Sequence, residues 1–212
     1  MELEKFLGKI EDDKYFKGID TKPFDATKDM VGLTYHLIKD IKLDTCDSLN
    51  LARSKFSRSQ KIFNWVYTHI KPEFNPKCLN DPTDLDRLKY YRKSASETFA
   101  LRRGMCMDAS FLYTTMAKIA GLESGIAIIY KNSSGREEDH VCSWVEWLDK
   151  IHLMDTSRAN GFGISHKTFI LYDDSDARYF YEYYCKNYNL RNWKAIEEYE
   201  EVLDNLGKLI EH

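Results

Sequence analysis

Apolar positions along the chain recur first at helical spacing, then at strand spacing, then at helical spacing again. The first ~25 residues are charged with scattered aromatics and predict one or two short helices. Asp25, Ala26 and Thr27 have the chemistry of a helix start, and Met30, Leu33, Leu37 and Ile41 follow on one stripe. Residues 54–70 predict a second helix, with Ile62, Phe63, Val66 and Ile70 on one face and Trp65 beside them. Lys71-Pro72 ends it, because the residue before a proline avoids the α region. Residues 71–93 hold three of the four prolines and predict an irregular connection. Residues 94–103 predict a short helix stopped by Gly104. Cys106, Ala109, Leu112, Met116 and Ile119 then mark a helix with one buried face, and Gly121 stands where a C-cap is needed. Strands are predicted over 126–130, 140–145 and 150–155, with turn chemistry at Asn132, Ser133, Ser134 and Gly135. A tyrosine-rich helix over 176–188 and a last amphipathic helix through Trp193, Ile196, Tyr199, Leu203, Leu206 and Ile210 complete the pattern. That order predicts an α+β fold with an antiparallel sheet.

Composition narrows the function classes. With 212 residues, 43% of them hydrophobic and 14% aromatic, the chain builds a sizeable core. We expect a single domain over 1–212, with a core at about 55–160 and helical additions over 1–54 and 161–212. A net charge of −3 from 34 acidic and 31 basic residues gives no basic footprint for nucleic acid and no polybasic membrane patch. No apolar run approaches the ~20 residues that span a bilayer. The first residues, MELEKFLGKIEDDKYF, carry acids where a signal peptide has an apolar stretch, so a cytoplasmic location is expected. The five cysteines form no C-x-x-C pair, which argues against a disulfide framework or a zinc site and for reduced thiols.

Cys106 departs from the picture of inert thiols. It starts a helix just after Gly104, and unpaired N–H groups at a helix start stabilise an anion. A thiol so placed ionises more readily, and the thiolate is the nucleophile. Asp108 suits the same first turn. Gly104 lets the chain turn sharply and lets a substrate approach the backbone.

His140 opens a strand, and its relation to Asp155 depends on the hairpin. A four-residue loop over 146–149 pairs Val145 with Lys150 and brings His140 opposite Asp155, with Cβ atoms ~5 Å apart. A two-residue turn at Asp149-Lys150 instead puts Trp144 opposite Asp155 and leaves His140 about 13 Å away, at ~3.3 Å per residue. Asp-Lys is a poor two-residue turn beside Asn-Gly or Asp-Gly, which favours the longer loop. Cys106, His140 and Asp155 then form a nucleophile, a general acid–base and its orienting carboxylate. The backbone N–H of Cys106 belongs to the expected oxyanion hole. No metal or organic cofactor is required.

These residues resemble the transglutaminase-like cysteine hydrolases. Gly104-Met105-Cys106-Met107-Asp108 looks like their G-x-C-x-D/E helix start; His140-Val141-Cys142 and Asp155-Thr156 look like the strand-opening His and the Asp after the next strand. The segment Ser94 to Gly104 and the helix around Trp65 are also similar, so the resemblance covers roughly residues 55–160. Cys142 stands where the family commonly has Trp. The resemblance implies a papain-like core with the cysteine helix packed on an antiparallel sheet, and a hydrolase of peptide or isopeptide bonds with a peptide or protein substrate. Acyl transfer to an amine, as in transglutaminases or arylamine N-acetyltransferases, is the alternative. A non-catalytic module on the same fold is another. Arg102-Arg103-Gly104-Met105-Cys106 lacks the middle glycine of the acetyltransferase motif. Trp65 resembles an upstream tryptophan that assists the oxyanion hole, although core packing is the expected role, since large aromatics dominate cores. Tyr179, Phe180, Tyr181, Tyr183 and Tyr184 suit either a substrate groove or helix packing. His152 falls on the opposite strand face from Asp155; His36, His69, His166 and His212 carry no usable spacing.

Overall fold

Thr27 caps the first helix, α1 (Lys28–Ile38), by accepting from the Met30 N–H. This computed structural model describes residues 22–43, 47–72 and 93–188. The expected N-terminal helices, most of the proline-rich connection and the last amphipathic helix lie outside the described residues. The chain falls into two compact units, Met1–Phe74 with Lys93–Ala177, and Asn75–Arg92 with Arg178–His212.

Asp47 caps α2 (Ser48–His69), which begins six residues before the periodicity predicts because the cap, rather than the apolar stripe, sets its start. It ends before Pro72 as expected: Ile70 is extended (φ −99, ψ 111), and β1 (Lys71–Pro72) pairs in parallel with β2 (Arg103–Gly104). Between them Ser94 and Glu97 form a reciprocal capping box at the start of α3 (Ala95–Leu101). Arg102, not Gly104, stops this helix, adopting the left-handed conformation at φ 55.

α4 (Cys106–Ile119) starts and ends where the sequence predicts, with Gly121 just beyond it at φ +73. The expectation of a single buried face fails. Every residue from Met107 to Ile119 is buried, because α1, α2 and α3 pack around the helix while the strands β3 (Ser124–Lys131) and β4 (Glu137–Trp147) cover the rest. Its polar side chains are therefore bonded inward. Thr114 Oγ1 donates to the Gly125 carbonyl and to Ser143 Oγ (both 3.1 Å), and Tyr113 meets Ser59 at 2.6 Å. At the far end Arg58 donates to the carbonyls of Ala120 and Ile41, and burial pushes its pKa down to about 10.

The main sheet has the order β6-β5-β4-β3-β7 and is antiparallel throughout: β3 (Ser124–Lys131), β4 (Glu137–Trp147), β5 (Lys150–Met154), β6 (Phe162–Ile164) and β7 (Thr168–Tyr172). The three predicted strands are present; β6 and β7 are additional. α5 (Asp174–Tyr188) follows, with Lys118 of α4 paired to its first residue. Along it Tyr179 is exposed while Phe180 and Tyr181 are buried. The architecture is α+β, with a papain-like cysteine helix on an antiparallel sheet. Among the described residues no helix is long and apolar enough to cross a membrane.

The β4–β5 hairpin corrects the predicted register. Trp147 pairs with Lys150, so the turn is two residues, Leu148 and Asp149, both at φ 55. Positive φ at both positions is what a type I′ turn demands; here the strand pairing imposes it on Leu148, which does not favour it. The ladder ends at Ser143 opposite Met154, which brings Asp155 level with Cys142 rather than with His140.

Candidate active site

Cys106 is the first residue of α4 and is half-buried. Its position follows from the residues around it. Asp108, 1% exposed, turns back so that Oδ2 accepts from the Met105 N–H (2.9 Å), while Oδ1 accepts from the Lys93 N–H (3.1 Å). The Lys93 ammonium stands 3.8 Å away. This carboxylate also explains Gly104. A Cβ there would lie 2.7 Å from Asp108 Cβ and 3.3 Å from Thr98 Cγ2. Gly104 is not in the positive-φ region; its contribution is room for Asp108 rather than a sharp turn. Ser110, one turn into the helix, donates to the Cys106 carbonyl (2.7 Å) and to the Val141 carbonyl (3.2 Å). That second bond ties the cysteine helix to the strand residue beside His140.

His140 and Asp155 meet in spite of the register. Both point to the same face of the sheet, one diagonal step apart, and diagonal neighbours are within reach of long side chains. Nε2 of His140 lies 2.9 Å from Asp155 Oδ2, with the side chains 9% and 1% exposed. The Cys106 sulfur is the other partner of the imidazole. Burial opposes charge on His140, but the Asp155 carboxylate and Cys106 outweigh it and push its pKa up to about 10. Burial likewise works against the Asp155 anion, and the contacts with His140, Ser157 and Arg158 overcome it, holding its pKa below the ordinary carboxylate value. Cys142 shares this face at 0% exposure, packed with Ala127, Ile129 and Leu153. Burial, then the nearby Asp155 and Cys106 charges, keeps it a neutral thiol.

Asp155 is held by residues that carry no sequence signal of the kind found at Cys106. Its Oδ1 accepts from the Ser157 N–H (3.1 Å) and hydroxyl (2.6 Å), and Arg158 Nε lies 2.7 Å from Oδ2. The Asp155 N–H donates to the Gly161 carbonyl at 2.9 Å, and a Cβ on Gly161 would fall 1.9 Å from the Asp155 carbonyl oxygen. The buried ring of His166 places Nε2 3.7 Å from Asp155 Oδ2. The D-x-S-R-x-x-G run from Asp155 to Gly161 is the one feature from which this turn could have been read.

The other candidates are placed as follows. Trp65, 9% exposed, stacks on His69 (4.8 Å) and Phe99 (5.7 Å) with the Arg102 guanidinium over its ring at 4.6 Å, which accounts for it as packing. His152 stacks on Trp147 at 3.8 Å, away from Asp155 as its strand face predicts.

Solved structures similar to this chain include a provisionally named protease from Parabacteroides distasonis (9% identity, TM-score 0.40, covering 73% of this chain and 26% of that one). Another is a provisionally named cysteine protease from Cytophaga hutchinsonii (14%, TM-score 0.37, 76% and 65%), and a third is a TGase (19%, TM-score 0.42, 78% and 42%). The chain thus spans between about a quarter and two-thirds of the length of these proteins. Among curated proteins none matches it. The family model of the transglutaminase-like superfamily matches residues 45–155, just over half of the sequence, ending on Asp155 and including Cys106 and His140, and the chain belongs to that superfamily.

Proposed function

We propose that this chain is a cysteine-dependent hydrolase of peptide or isopeptide amides. The observation that carries the reading is the position of His140, with the Asp155 carboxylate 2.9 Å from Nε2 and the Cys106 sulfur as its other partner. With Nε2 committed to Asp155, Nδ1 is the nitrogen left for sulfur chemistry. The Cys106 thiolate attacks the amide carbonyl and forms the C–S bond. The backbone N–H of Cys106, at the first turn of α4, is the donor we assign to the developing oxyanion. His140 gives its proton to the leaving nitrogen as the C–N bond breaks. Water then attacks the thioester, its proton goes to His140, and the acid leaves as the thiolate returns. Asp155 keeps the imidazole oriented and supports its cationic form. None of these steps calls on a cofactor.

Brief alkylation near neutral pH, read by peptide mass spectrometry, should label Cys106 ahead of the other four cysteines; equal labelling in the folded protein would overturn the reading. Against a fluorogenic peptide library, turnover should vanish in Cys106→Ala and His140→Ala. Faster product release with a primary amine present, and the amine found in the product, would instead identify an acyltransferase.

A further inference from the structure

Beyond Asp155 the charges continue. Arg158 bridges two carboxylates: its Nε lies 2.7 Å from Asp155 Oδ2, the same oxygen that meets His140, and its Nη2 is paired with Glu138 Oε1. The bridge is anchored at both ends. Arg158 donates its N–H to the Asp155 carbonyl at 3.1 Å, so its backbone belongs to the turn that carries Asp155. Glu138 lies in a bulge of β4, where one extra residue separates the pairs Ile129–His140 and Lys131–Glu137. Bulges re-aim side chains, and here Glu138 meets a residue of the turn after β5. The result is an alternating chain Glu138, Arg158, Asp155, His140, Cys106. The Asp155 end is nearly closed to solvent at 1% exposure, whereas Arg158 and Glu138 are 35% and 23% exposed.

Two consequences follow from elementary electrostatics. Contacts on both oxygens hold the Asp155 carboxylate in place: Ser157 donates to Oδ1, while the charged groups of Arg158 and His140 lie 2.7 and 2.9 Å from Oδ2. The Arg158 cation, one contact beyond Asp155, also favours the thiolate and disfavours the imidazolium, and the Glu138 anion partly cancels both effects. We propose that Arg158 and Glu138 are positioning residues that fix Asp155 and set, with opposite signs, the pH at which the Cys106–His140 pair becomes reactive. The other groups facing this set are Cys142, which burial keeps a neutral thiol, Ser157 Oγ, 3.5 Å from His140 Nε2, and His166, whose ring centre is 6.4 Å from that of His140. Burial first, then the His140 and Arg158 cations, lowers the pKa of His166 against the pull of Asp155 and Glu138, so it stays neutral near pH 7 and above.

The inference rests on the hydrolase reading but is tested without a substrate. The rate of Cys106 alkylation by iodoacetamide is measured against pH in the full chain, by mass spectrometry of the Cys106 peptide, with thermal melting as the control for folding. Arg158→Gln should raise the midpoint of the profile by about one pH unit, the order expected when a nearby unit charge is removed near a protein surface. Glu138→Gln should lower it by about half a unit. The double variant should return close to the wild-type midpoint, and Arg158→Lys, which keeps the charge, should stay there. A purely structural role moves melting temperature or overall rate but not the midpoint. Unmoved midpoints, or shifts of the same sign in both single variants, overturn the proposal. Should Arg158→Gln fail to fold, Glu138→Gln and Arg158→Lys decide it. A wild-type profile that titrates like an ordinary thiol would fail the hydrolase reading instead, which separates the two failures.

Discussion

The helix start that carries Cys106 and the turn that carries Asp155 face each other across His140, yet different forces hold them. Around Cys106 the support is closed to solvent: the Asp108 carboxylate folded back on the Met105 N–H with the Lys93 ammonium beside it, a serine hydroxyl on a carbonyl, and a glycine that leaves room. Around Asp155 the support is charged and partly solvent-facing: two histidines, an arginine and a serine converge on one carboxylate. A change at the first region should therefore break geometry and stability together, whereas a change at the second should mostly move pH dependence.

The largest effect expected is at the helix start. Asp108→Ala removes the acceptor for two backbone N–H groups and the carboxylate beside a Lys93 side chain that is 7% exposed. Breaking a buried pair from one side costs about 3 kcal/mol or more, so urea denaturation should show a loss of that order. A change under 1 kcal/mol would mean that the first turn is held by something else. Gly161→Ala probes the other region. Its Cβ would meet backbone, the Asp155 carbonyl at 1.9 Å, which no side-chain movement relieves. Strain of about 2 kcal/mol is expected, with turnover lost while α4 keeps its helical signal. Equal damage to both regions would erase the contrast drawn above.

A smaller, pH-dependent effect follows from His140. Its folded-state value, about 10, lies above the ordinary 6.5. The stability it contributes is therefore complete below about pH 6.5 and is lost as pH climbs through that window to about 10. The urea midpoint of the wild type should fall over that range, and His140→Gln should flatten the fall. An identical slope in both proteins would detach His140 from the linkage. The smallest effect is a gain. Leu148 sits at φ 55 in the hairpin turn, where Asn is more comfortable, and Leu148→Asn should stabilise by about 1 kcal/mol without touching Cys106 alkylation.

The same contrast explains what the sequence revealed. The helix at Cys106 was legible because its determinants are neighbours in the chain: a G-x-C-x-D start, apolar residues at steps of three and four, and Gly121 at the end. The hairpin register was not legible, because Leu148 accepts a left-handed conformation that its own preference opposes and only the paired strands enforce. His140 and Asp155 nevertheless lie within 2.9 Å, since two side chains one diagonal step apart on one face still reach each other. β7 carries a signal beyond the three predicted strands, the aromatic and β-branched run Thr168 to Tyr172; β6, three residues around Gly163, carries almost none. The meeting of Arg158 with Glu138 and His166 was not legible, because it depends on a bulge in one strand and on the closing of a turn after another.

The burial of α4 has a further consequence, for how the site opens. Thirteen successive residues of that helix are sealed between helices and sheet, so its amides should exchange with solvent only when the whole unit unfolds. The turn from Asp155 to Gly161, with Ser157, Ala159 and Asn160 exposed, is held by a handful of bonds and should open by itself far more often. Cys106 would then remain in register on its helix while its distant carboxylate comes and goes. Hydrogen exchange should find two different opening free energies within one site, the lower of them at the end that supplies the charge.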